Sequence, residues 1–340
     1  MYNEILENAR KCIGPYCKAC LECNGKACRN QIPGPGAKGI GNVAIRNYDE
    51  WKKIRVNMDT LVENKPVDMT CELFNHQFKY PFFAGPVGAV NLHYGDMYDD
   101  LSYNDIMVRS CANNGIMAFT GDGINPEVVK SAALAIKRVN GLGIPTIKPW
   151  NIETIKEKID LIQKGNPLAI AMDIDAAGLP FLKNMTPPAG GKSVQQMKEI
   201  IGLCKQPFII KGIMTVDGAL KAKEAGANAI VVSNHGGRVL DQCPSTAEVL
   251  EDIVNAVGDD MIVLVDGGIR SGADIFKALA LGAKGVLIAR PFVTALYGGK
   301  DQGIKEYISK LASELEDMMS MCGAHSLSEI KRDMIKRYSY

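Results

Sequence analysis

Eight short apolar runs alternate with longer segments of helical period from about residue 81 onward, and this alternation limits the fold more than any other feature. The runs are 82–86, 116–120, 145–148, 168–173, 208–211, 230–233, 262–266 and 286–289, with helical segments such as 152–164, 194–204, 216–225, 247–257 and 273–281 between them. Such alternation predicts a parallel sheet with helical crossovers, and eight units favour an α/β protein with a closed (β/α)8 TIM barrel. A doubly wound sheet is the alternative. However, polar residues cluster at the carboxyl ends of the predicted strands, where barrel active sites lie.

The length of the chain predicts a barrel with an appendage. The chain has 340 residues, whereas a typical α/β barrel takes about 250. We assign residues 1–40 to a cysteine-rich N-terminal arm and residues 41–340 to the barrel.

Charge and hydropathy indicate which partners to expect. The 39 basic and 38 acidic residues nearly cancel, leaving a net charge of +1, so no overall field attracts nucleic acid or an anionic membrane. No apolar stretch approaches the roughly 18 residues that span a bilayer. The first residues also lack the basic and apolar regions of a signal peptide. We therefore expect a cytoplasmic protein with a small-molecule partner.

A histidine and an arginine follow the sixth predicted strand. The segment 233–241 reads Ser-Asn-His-Gly-Gly-Arg-Val-Leu-Asp, with His235 three residues before Arg238. A histidine has an ordinary pKa of about 6.5 and accepts a proton near neutral pH. A guanidinium can bind a carboxylate through two parallel hydrogen bonds. Together they predict a site for a small carboxylate with a removable proton; the alternative is a polar loop that only caps the strand.

The loops after the last two predicted strands are typical of an anion site. Residues 266–272 read Asp-Gly-Gly-Ile-Arg-Ser-Gly and open a helix, and residues 289–291 read Ala-Arg-Pro. Glycines let backbone N–H groups approach an anion, and a helix N-terminus favours negative charge. Barrels often hold phosphate in these two loops. The sequence therefore predicts a phosphate site there.

Segments 231–241 and 265–283 resemble the FMN-dependent α-hydroxy acid oxidases and dehydrogenases, such as glycolate and lactate oxidases. The similarity is densest from about residue 205 to 335, including 321–330, and sparser from 41 to 180. The resemblance implies an FMN-binding barrel that oxidises a small 2-hydroxy acid to a 2-oxo acid, with the α-hydrogen transferred to flavin N5. It also implies a homo-oligomer, commonly a tetramer. The electron acceptor is not specified.

The same resemblance implies a role for each residue of the site. His235 would accept the substrate proton, Asp175 would pair with the resulting imidazolium, and Lys211 would stabilise the anionic reduced flavin at its N1 and O2 edge. Arg238 would bind the substrate carboxylate. The residues implied to contact FMN are Pro86, Val87, Gly88, Thr120, Asp173, Lys211, Ser233, Asp266, Gly268, Arg270, Ala289 and Arg290. Of these, Gly268, Arg270 and Arg290 would bind the phosphate.

Two departures from the family concern the substrate pocket. The family usually offers one tyrosine in the N-terminal segment and another after the third barrel strand. Here the first segment is cysteine-rich, and Lys148 stands at the second position. The family's second carboxylate-binding arginine is also absent after the fourth strand, where Lys183 is the nearest basic residue. We expect Lys148 and Lys183 to contribute to substrate binding.

The N-terminal arm has its own chemistry. Cys17, Cys20, Cys23 and Cys28 follow the spacing C-x2-C-x2-C-x4-C, which can place four thiolates around one centre. The pattern resembles iron–sulfur ligation. Tetrahedral zinc uses the same ligands, and a metal-free arm that packs on the barrel is the third interpretation.

Two other functions fit an FMN barrel of this kind. One is chemistry without net oxidation, as in type 2 isopentenyl diphosphate isomerases, although the His235 and Arg238 pair suits a carboxylate better than a diphosphate. The other is a flavin and iron–sulfur module that passes electrons to a partner.

Overall fold

The computed structural model describes residues 2–338. In chain order the strands are β1 (Ile54–Val56), β2 (Cys71–Leu73), β3 (His76–Phe78), β4 (Phe82–Ala84), β5 (Ala118–Thr120), β6 (Gly143–Ile147), β7 (Ile170–Asp173), β8 (Phe208–Ile213), β9 (Ala229–Val232), β10 (Ile262–Val265), β11 (Gly285–Ile288) and β12 (Ile335–Arg337). The α-helices are α1 (Tyr2–Arg10), α2 (Val43–Lys52), α3 (Val90–Tyr94), α4 (Asp100–Asn113), α5 (Pro126–Arg138), α6 (Ile152–Gln163), α7 (Val194–Gly202), α8 (Val216–Glu224), α9 (Thr246–Val257), α10 (Gly272–Ala280) and α11 (Arg290–Met321).

Strands β4 to β11 form a closed parallel barrel, in which β11 pairs with β4. The predicted TIM barrel is therefore confirmed, and each of the eight predicted runs overlaps one barrel strand. Boundaries moved by a few residues; β6, for example, begins at Gly143 rather than at residue 145. The barrel strands read as nearly continuous apolar runs because both of their faces are buried, against the interior and against the helices.

Two charged side chains interrupt this apolar pattern. Asp173 ends β7 and Lys211 lies within β8, and the sheet register pairs them directly. Both are buried. A buried charge needs a partner, so the register itself supplies the first ion pair of the site described below.

The N-terminal arm packs against the end of the chain. Helix α1 lies on α11, where the rings of Tyr2 and Tyr307 stack at 5.0 Å. The approach is close, because a Cβ atom at Gly298 would lie 2.0 Å from the carbonyl oxygen of Ile5. Strand β12 pairs with β1 outside the barrel, and the β2–β3 hairpin packs Phe78 against Phe83 of β4.

No helix within residues 2–338 combines the length and apolar character needed to cross a membrane.

Candidate active site

A cavity of about 450 Å³ opens at the carboxyl ends of the barrel strands. The predicted site residues that line it are Pro86, Val87, Gly88, Lys148, Lys211, His235, Arg238, Asp266, Gly268, Arg270, Ala289 and Arg290. Asp173, Asp175 and Ser233 stand behind this lining and contact it through hydrogen bonds or ion pairs. The fold thus brings together residues that lie up to about two hundred positions apart.

His235 is held in one orientation by two neighbours. Its Nδ1 lies 2.9 Å from Oδ1 of Asp175, which follows β7 in a 3-10 helix (Ile174–Gly178). Its backbone N–H donates to Oγ of Ser233 at 3.1 Å, and its φ of +55° is in the left-handed region. Strain of this kind persists only where the surroundings impose it. With Nδ1–H donating to the carboxylate, Nε2 presents a lone pair to the cavity.

Lys211 is surrounded by carboxylates. Its Nζ lies 3.0 Å from Oδ1 of Asp173 and 3.6 Å from Oδ2 of Asp266. Burial opposes the charge on Lys211, but the carboxylates of Asp173, Asp175 and Asp266 raise its pKa. Burial likewise opposes ionisation of Asp173, yet the Lys211 ammonium lowers the pKa of that carboxyl. Lys211 is therefore a fixed positive charge at the base of the cavity.

Arg238 joins the cavity to the N-terminal arm. Its Nη1 donates to the carbonyl oxygen of Gly34, and its Nη2 lies 3.3 Å from Nε2 of His93. Burial lowers the pKa of Arg238 to about 10, so the side chain stays charged at neutral pH. Ile32 of the arm also lines the cavity.

His93, which lies in α3, is a site residue that no sequence motif indicates. Its Nδ1 accepts the backbone N–H of Gly34 at 3.1 Å, so the proton of the neutral ring lies on Nε2 and faces Arg238. Burial and the Arg238 charge lower the pKa of His93 to about 3. Nη2 of Arg238 and the Nε2–H of His93 are then two donors 3.3 Å apart, an arrangement that an anionic oxygen bound between them would satisfy. The one available signal was its position in the loop region after the first barrel strand, where barrel site residues occur.

Of the two lysines predicted to bind substrate, Lys148 is part of the cavity lining. It lies at the end of β6, and its backbone N–H donates to Oδ2 of Asp122 at 2.9 Å. Asp122 also accepts from Nε1 of Trp150 and from Nζ of Lys158. Lys183 belongs to a short 3-10 helix (Leu182–Asn184). Its side chain lies outside the part of the chain that the structure describes.

The predicted phosphate residues form the other end of the cavity. Gly268 has a φ of +81°, and a Cβ atom there would lie 1.9 Å from the carbonyl oxygen of Asn47, so the position admits only glycine. Arg270 donates from Nε to the carbonyl of Cys23 at 2.7 Å, and Arg290 donates from Nη2 to the carbonyl of Gly236 at 2.7 Å. Helices α10 and α11 both begin here. Two helix N-termini and two guanidinium groups make an anion site.

These features fit FMN. Among the described residues, Oγ1 of Thr120 and Oγ1 of Thr146 are buried without a hydrogen-bond partner. They belong to the neighbouring strands β5 and β6 and do not line the cavity, whereas Asp266, whose Oδ1 is also buried without a hydrogen-bond partner, does. A flat ligand with polar ring edges and a phosphate tail would supply a partner for this Asp266 oxygen.

The four arm cysteines line a second cavity of about 210 Å³, and Arg270 and Arg290 line both cavities. Burial raises the pKa of Cys17 to about 12 and also raises those of Cys20 and Cys28. Within residues 2–338, no three of the cysteine sulfurs lie within 4.8 Å of one another. The thiols thus surround a common space without meeting at a point.

Comparison with known proteins identifies relatives along most of the chain. The model of the FMN-dependent dehydrogenase family matches residues 35–180 and 175–337. A peroxisomal (S)-2-hydroxyacid oxidase of Arabidopsis thaliana is 44% identical over 324 residues, covering 85% of this chain and 87% of that protein. An FMN-dependent alpha-hydroxy acid dehydrogenase of Penicillium citrinum is 44% identical over 351 residues, covering 90% of this chain and 85% of that protein. Among solved structures, a mandelate oxidase variant with a monooxide FMN adduct is 27% identical with a TM-score of 0.75, covering 89% of this chain and 93% of that one.

Proposed function

Because the chain belongs to the family of FMN-dependent 2-hydroxy acid oxidases and dehydrogenases, we propose that it oxidises a small 2-hydroxy acid to the 2-oxo acid. His235 would act as the base. The observation that carries this proposal is the Asp175–His235 pair at 2.9 Å beside Arg238 and Lys211 in one cavity. FMN, when bound, takes up the two electrons that leave with the substrate α-hydrogen.

His235 would hold the proton from the substrate hydroxyl at Nε2. The imidazolium that results is stabilised by the Asp175 carboxylate, which already accepts from Nδ1. Such a carboxylate fixes the tautomer and orientation of the ring without taking up the proton itself. Lys211 would supply fixed positive charge to stabilise the negative charge that a bound flavin gains on reduction. Its ion pair with Asp173 keeps the ammonium in place.

Arg238 and His93 would bind the substrate carboxylate. Nη2 of Arg238 and Nε2 of His93 lie 3.3 Å apart, so one carboxylate oxygen can accept from both. The arm carbonyl of Gly34 already occupies Nη1 of Arg238. Lys148 adds a second cation on the same wall, and we propose that Lys148 and Lys183 favour a substrate with a further acidic or polar group over lactate or glycolate.

The test is a panel of 2-hydroxy acids added anaerobically to the purified protein. Release of the cofactor and identification by mass should give about one FMN per chain. At least one 2-hydroxy acid, drawn from lactate, glycolate, mandelate and 2-hydroxy dicarboxylates, should bleach the flavin and yield the 2-oxo acid. A flavin that no member of the panel reduces would refute the proposal, as would a bound nicotinamide or FAD.

We also propose that Cys17, Cys20, Cys23 and Cys28 hold a metal centre, either an iron–sulfur cluster or zinc. The support is their common cavity together with a cytoplasmic location, which we propose for this protein and which disfavours disulfides. Metal analysis of anaerobically purified protein tests it.

A homotetramer is proposed from the family resemblance, and sedimentation of the FMN-bound protein tests it.

A further inference from the structure

We propose that the arm cysteines Cys17, Cys20, Cys23 and Cys28 ligate an iron–sulfur cluster rather than a zinc ion, and that this cluster passes the substrate's electrons to a one-electron carrier. The first half stands on the geometry of the arm alone. The second half rests on the function proposed above, because it needs the electrons that the 2-hydroxy acid releases.

The distances between the sulfur atoms separate the two metals. Four thiolates at about 2.3 Å from a tetrahedral zinc ion lie roughly 3.8 Å from one another. Within the described residues, no three of the cysteine sulfurs approach within 4.8 Å. In a cubane cluster each cysteine binds a different iron atom, so the thiolates stand further apart around a body that fills the space between them. Thiols that line one open space without a close group of three agree better with the second arrangement than with the first.

The cavity has room for such a body. Its volume is about 210 Å³, more than ten times the roughly 15 Å³ that a single water molecule needs on this measure. Four thiolates bound directly to one zinc ion would enclose a much smaller volume than this cavity. All four cysteines line this cavity, together with backbone from the turns between them.

The charge of the lining suits an anionic cluster. Five cationic residues and one acidic residue contribute to the wall: Lys18, Lys52, Arg270, Arg290, Lys310 and Glu22. A cluster with four thiolate ligands carries net negative charge, and nearby cations and hydrogen bonds to its sulfurs set its potential. The backbone N–H of Ala19 donates such a bond to the Cys17 sulfur. Ala19 has a φ of +42°, and this unusual backbone turn lies between the first two ligands.

The spacing in sequence agrees with this geometry. Three cysteines at successive x2 intervals reproduce the first three ligands of the bacterial iron–sulfur run. Cys28 follows after four residues. Cys12, the fifth cysteine of the arm, takes no part, because its sulfur donates to the carbonyl of Tyr297 at 3.4 Å and it does not line the cavity.

The place of the cavity gives the cluster its role. It shares Arg270 and Arg290 with the catalytic cavity, so a cluster would lie next to the phosphate end of the cofactor site. Oxidation of one 2-hydroxy acid releases two electrons and two protons. The cluster carries one electron at a time, so each turnover would reduce two equivalents of a soluble one-electron carrier protein and release both protons to solvent, with no oxygen consumed.

The first experiment measures the cluster without using catalysis. Anaerobically purified protein is analysed for iron, acid-labile sulfide and zinc, and its EPR spectrum is recorded after reduction with dithionite. We expect about four iron and four sulfide atoms per chain, as a cubane cluster requires, and an EPR signal from the reduced cluster. One equivalent of zinc without iron, or no metal at all, would overturn the proposal.

Serine variants locate the ligands. Cys20→Ser and Cys23→Ser should each lose most of the iron and the EPR signal, whereas Cys12→Ser should keep both and serves as the matched control. Equal iron content in all three variants would overturn the assignment of the ligands even if the wild type contains a cluster.

The second experiment tests the electron path. A 2-hydroxy acid that bleaches the flavin is added anaerobically in place of dithionite, and the EPR signal is recorded again. We expect the signal to appear with substrate. In a separate aerobic assay, reduction of the one-electron oxidant ferricyanide should be at least tenfold faster than oxygen uptake. If substrate bleaches the flavin but leaves the cluster oxidised, the electron path is refuted while the proposed oxidation stands. If dithionite gives the signal and no substrate bleaches the flavin, the proposed function fails and the cluster stands.

Discussion

The two cavities that meet at Arg270 and Arg290 are built in opposite ways. In the catalytic cavity, Lys211 and His235 come from strand ends and are held by carboxylates at 3.0 and 2.9 Å. In the cysteine cavity, four thiols from irregular backbone surround a common space. The barrel therefore preorganises its site before any ligand binds, whereas the arm needs a ligand to complete its own. This difference leads to four predictions about the barrel side, given from the largest effect to the smallest.

Replacement of the base should give the largest effect. His235→Gln keeps a side chain of similar length but has no basic nitrogen, so reduction of the flavin by substrate should slow by roughly two to four orders of magnitude, the usual contribution of general-base catalysis. Bound FMN should be retained, because the residues that we expect to bind its phosphate and ring do not depend on this side chain for their positions. Anaerobic stopped-flow absorbance measures the rate. His76→Gln, in the β2–β3 hairpin, is the control. A wild-type rate in His235→Gln would show that His235 is not the base.

The buried ion pair beneath Lys148 should carry much of the rigidity of the catalytic cavity. Lys158 Nζ lies 2.6 Å from Oδ1 of Asp122, with both side chains almost fully buried. Lys158→Met leaves the Asp122 carboxylate without its cation, and removing one partner of a buried pair costs about 3–5 kcal/mol of unfolding free energy. Denaturant unfolding measures this loss.

The matched control for that variant is an exposed pair. Lys130 contacts Glu127 at 3.0 Å, with about half of each side chain exposed. Lys130→Met should therefore cost no more than about 1 kcal/mol. Equal losses in the two variants would mean that the cavity wall is not specially rigid, and the contrast with the arm would weaken.

Binding of the substrate carboxylate should show a smaller effect. Arg238→Lys cannot reproduce the fork of a guanidinium, and the loss of one hydrogen bond to a charged group, about 1.5–3 kcal/mol, should weaken substrate binding about tenfold to a hundredfold. Substrate titration of the initial rate of flavin reduction gives the apparent Kd, with Arg138→Lys, an exposed residue of α5, as control. An unchanged apparent Kd would argue against a carboxylate contact at Arg238.

The effect on the pH dependence of stability should be the smallest when it is expressed per pH unit. The pKa of His93 is about 3 in the folded protein, against about 6.5 in an unfolded chain. Between these values the unfolded chain binds a proton that the folded protein does not, so this residue makes stability fall as the pH decreases from about 6.5 to 3. His93→Gln should reduce that slope by up to about 1.4 kcal/mol per pH unit. Urea unfolding at several pH values measures it, and an identical slope in the variant would place His93 outside the buried contact with Arg238.

The barrel site could be predicted from the sequence because its functional residues lie at or near the ends of the strands. The motif in the loop after β9 contains both His235 and Arg238. Asp173 and Lys211 lie on two neighbouring strands whose register pairs them. These residues lie on barrel strands or directly after them, so their position in the chain largely determines their position in space. The resemblance to a family then named their partners.

His93 shows what the sequence could not supply. Its contact with Gly34 joins residues 59 positions apart, and neither residue belongs to a recognisable motif. The cysteine spacing indicated a shared centre, but not that this centre would adjoin Arg270 through the carbonyl of Cys23. Both contacts depend on how the irregular arm packs, and no periodicity encodes that packing.

The packing of α1 on α11 has a consequence for the order in which parts of the protein fold and bind ligands during synthesis. During synthesis the arm leaves the ribosome nearly three hundred residues before its docking surface on α11, which includes Gly298. Contacts between such distant parts of a chain form late in folding. Arg290, the first residue of α11, would then reach both cavities only after all eight barrel strands have been made. Cofactor loading would follow the docking of α1 on α11, and a nascent protein would hold its four thiols undocked until α11 emerges.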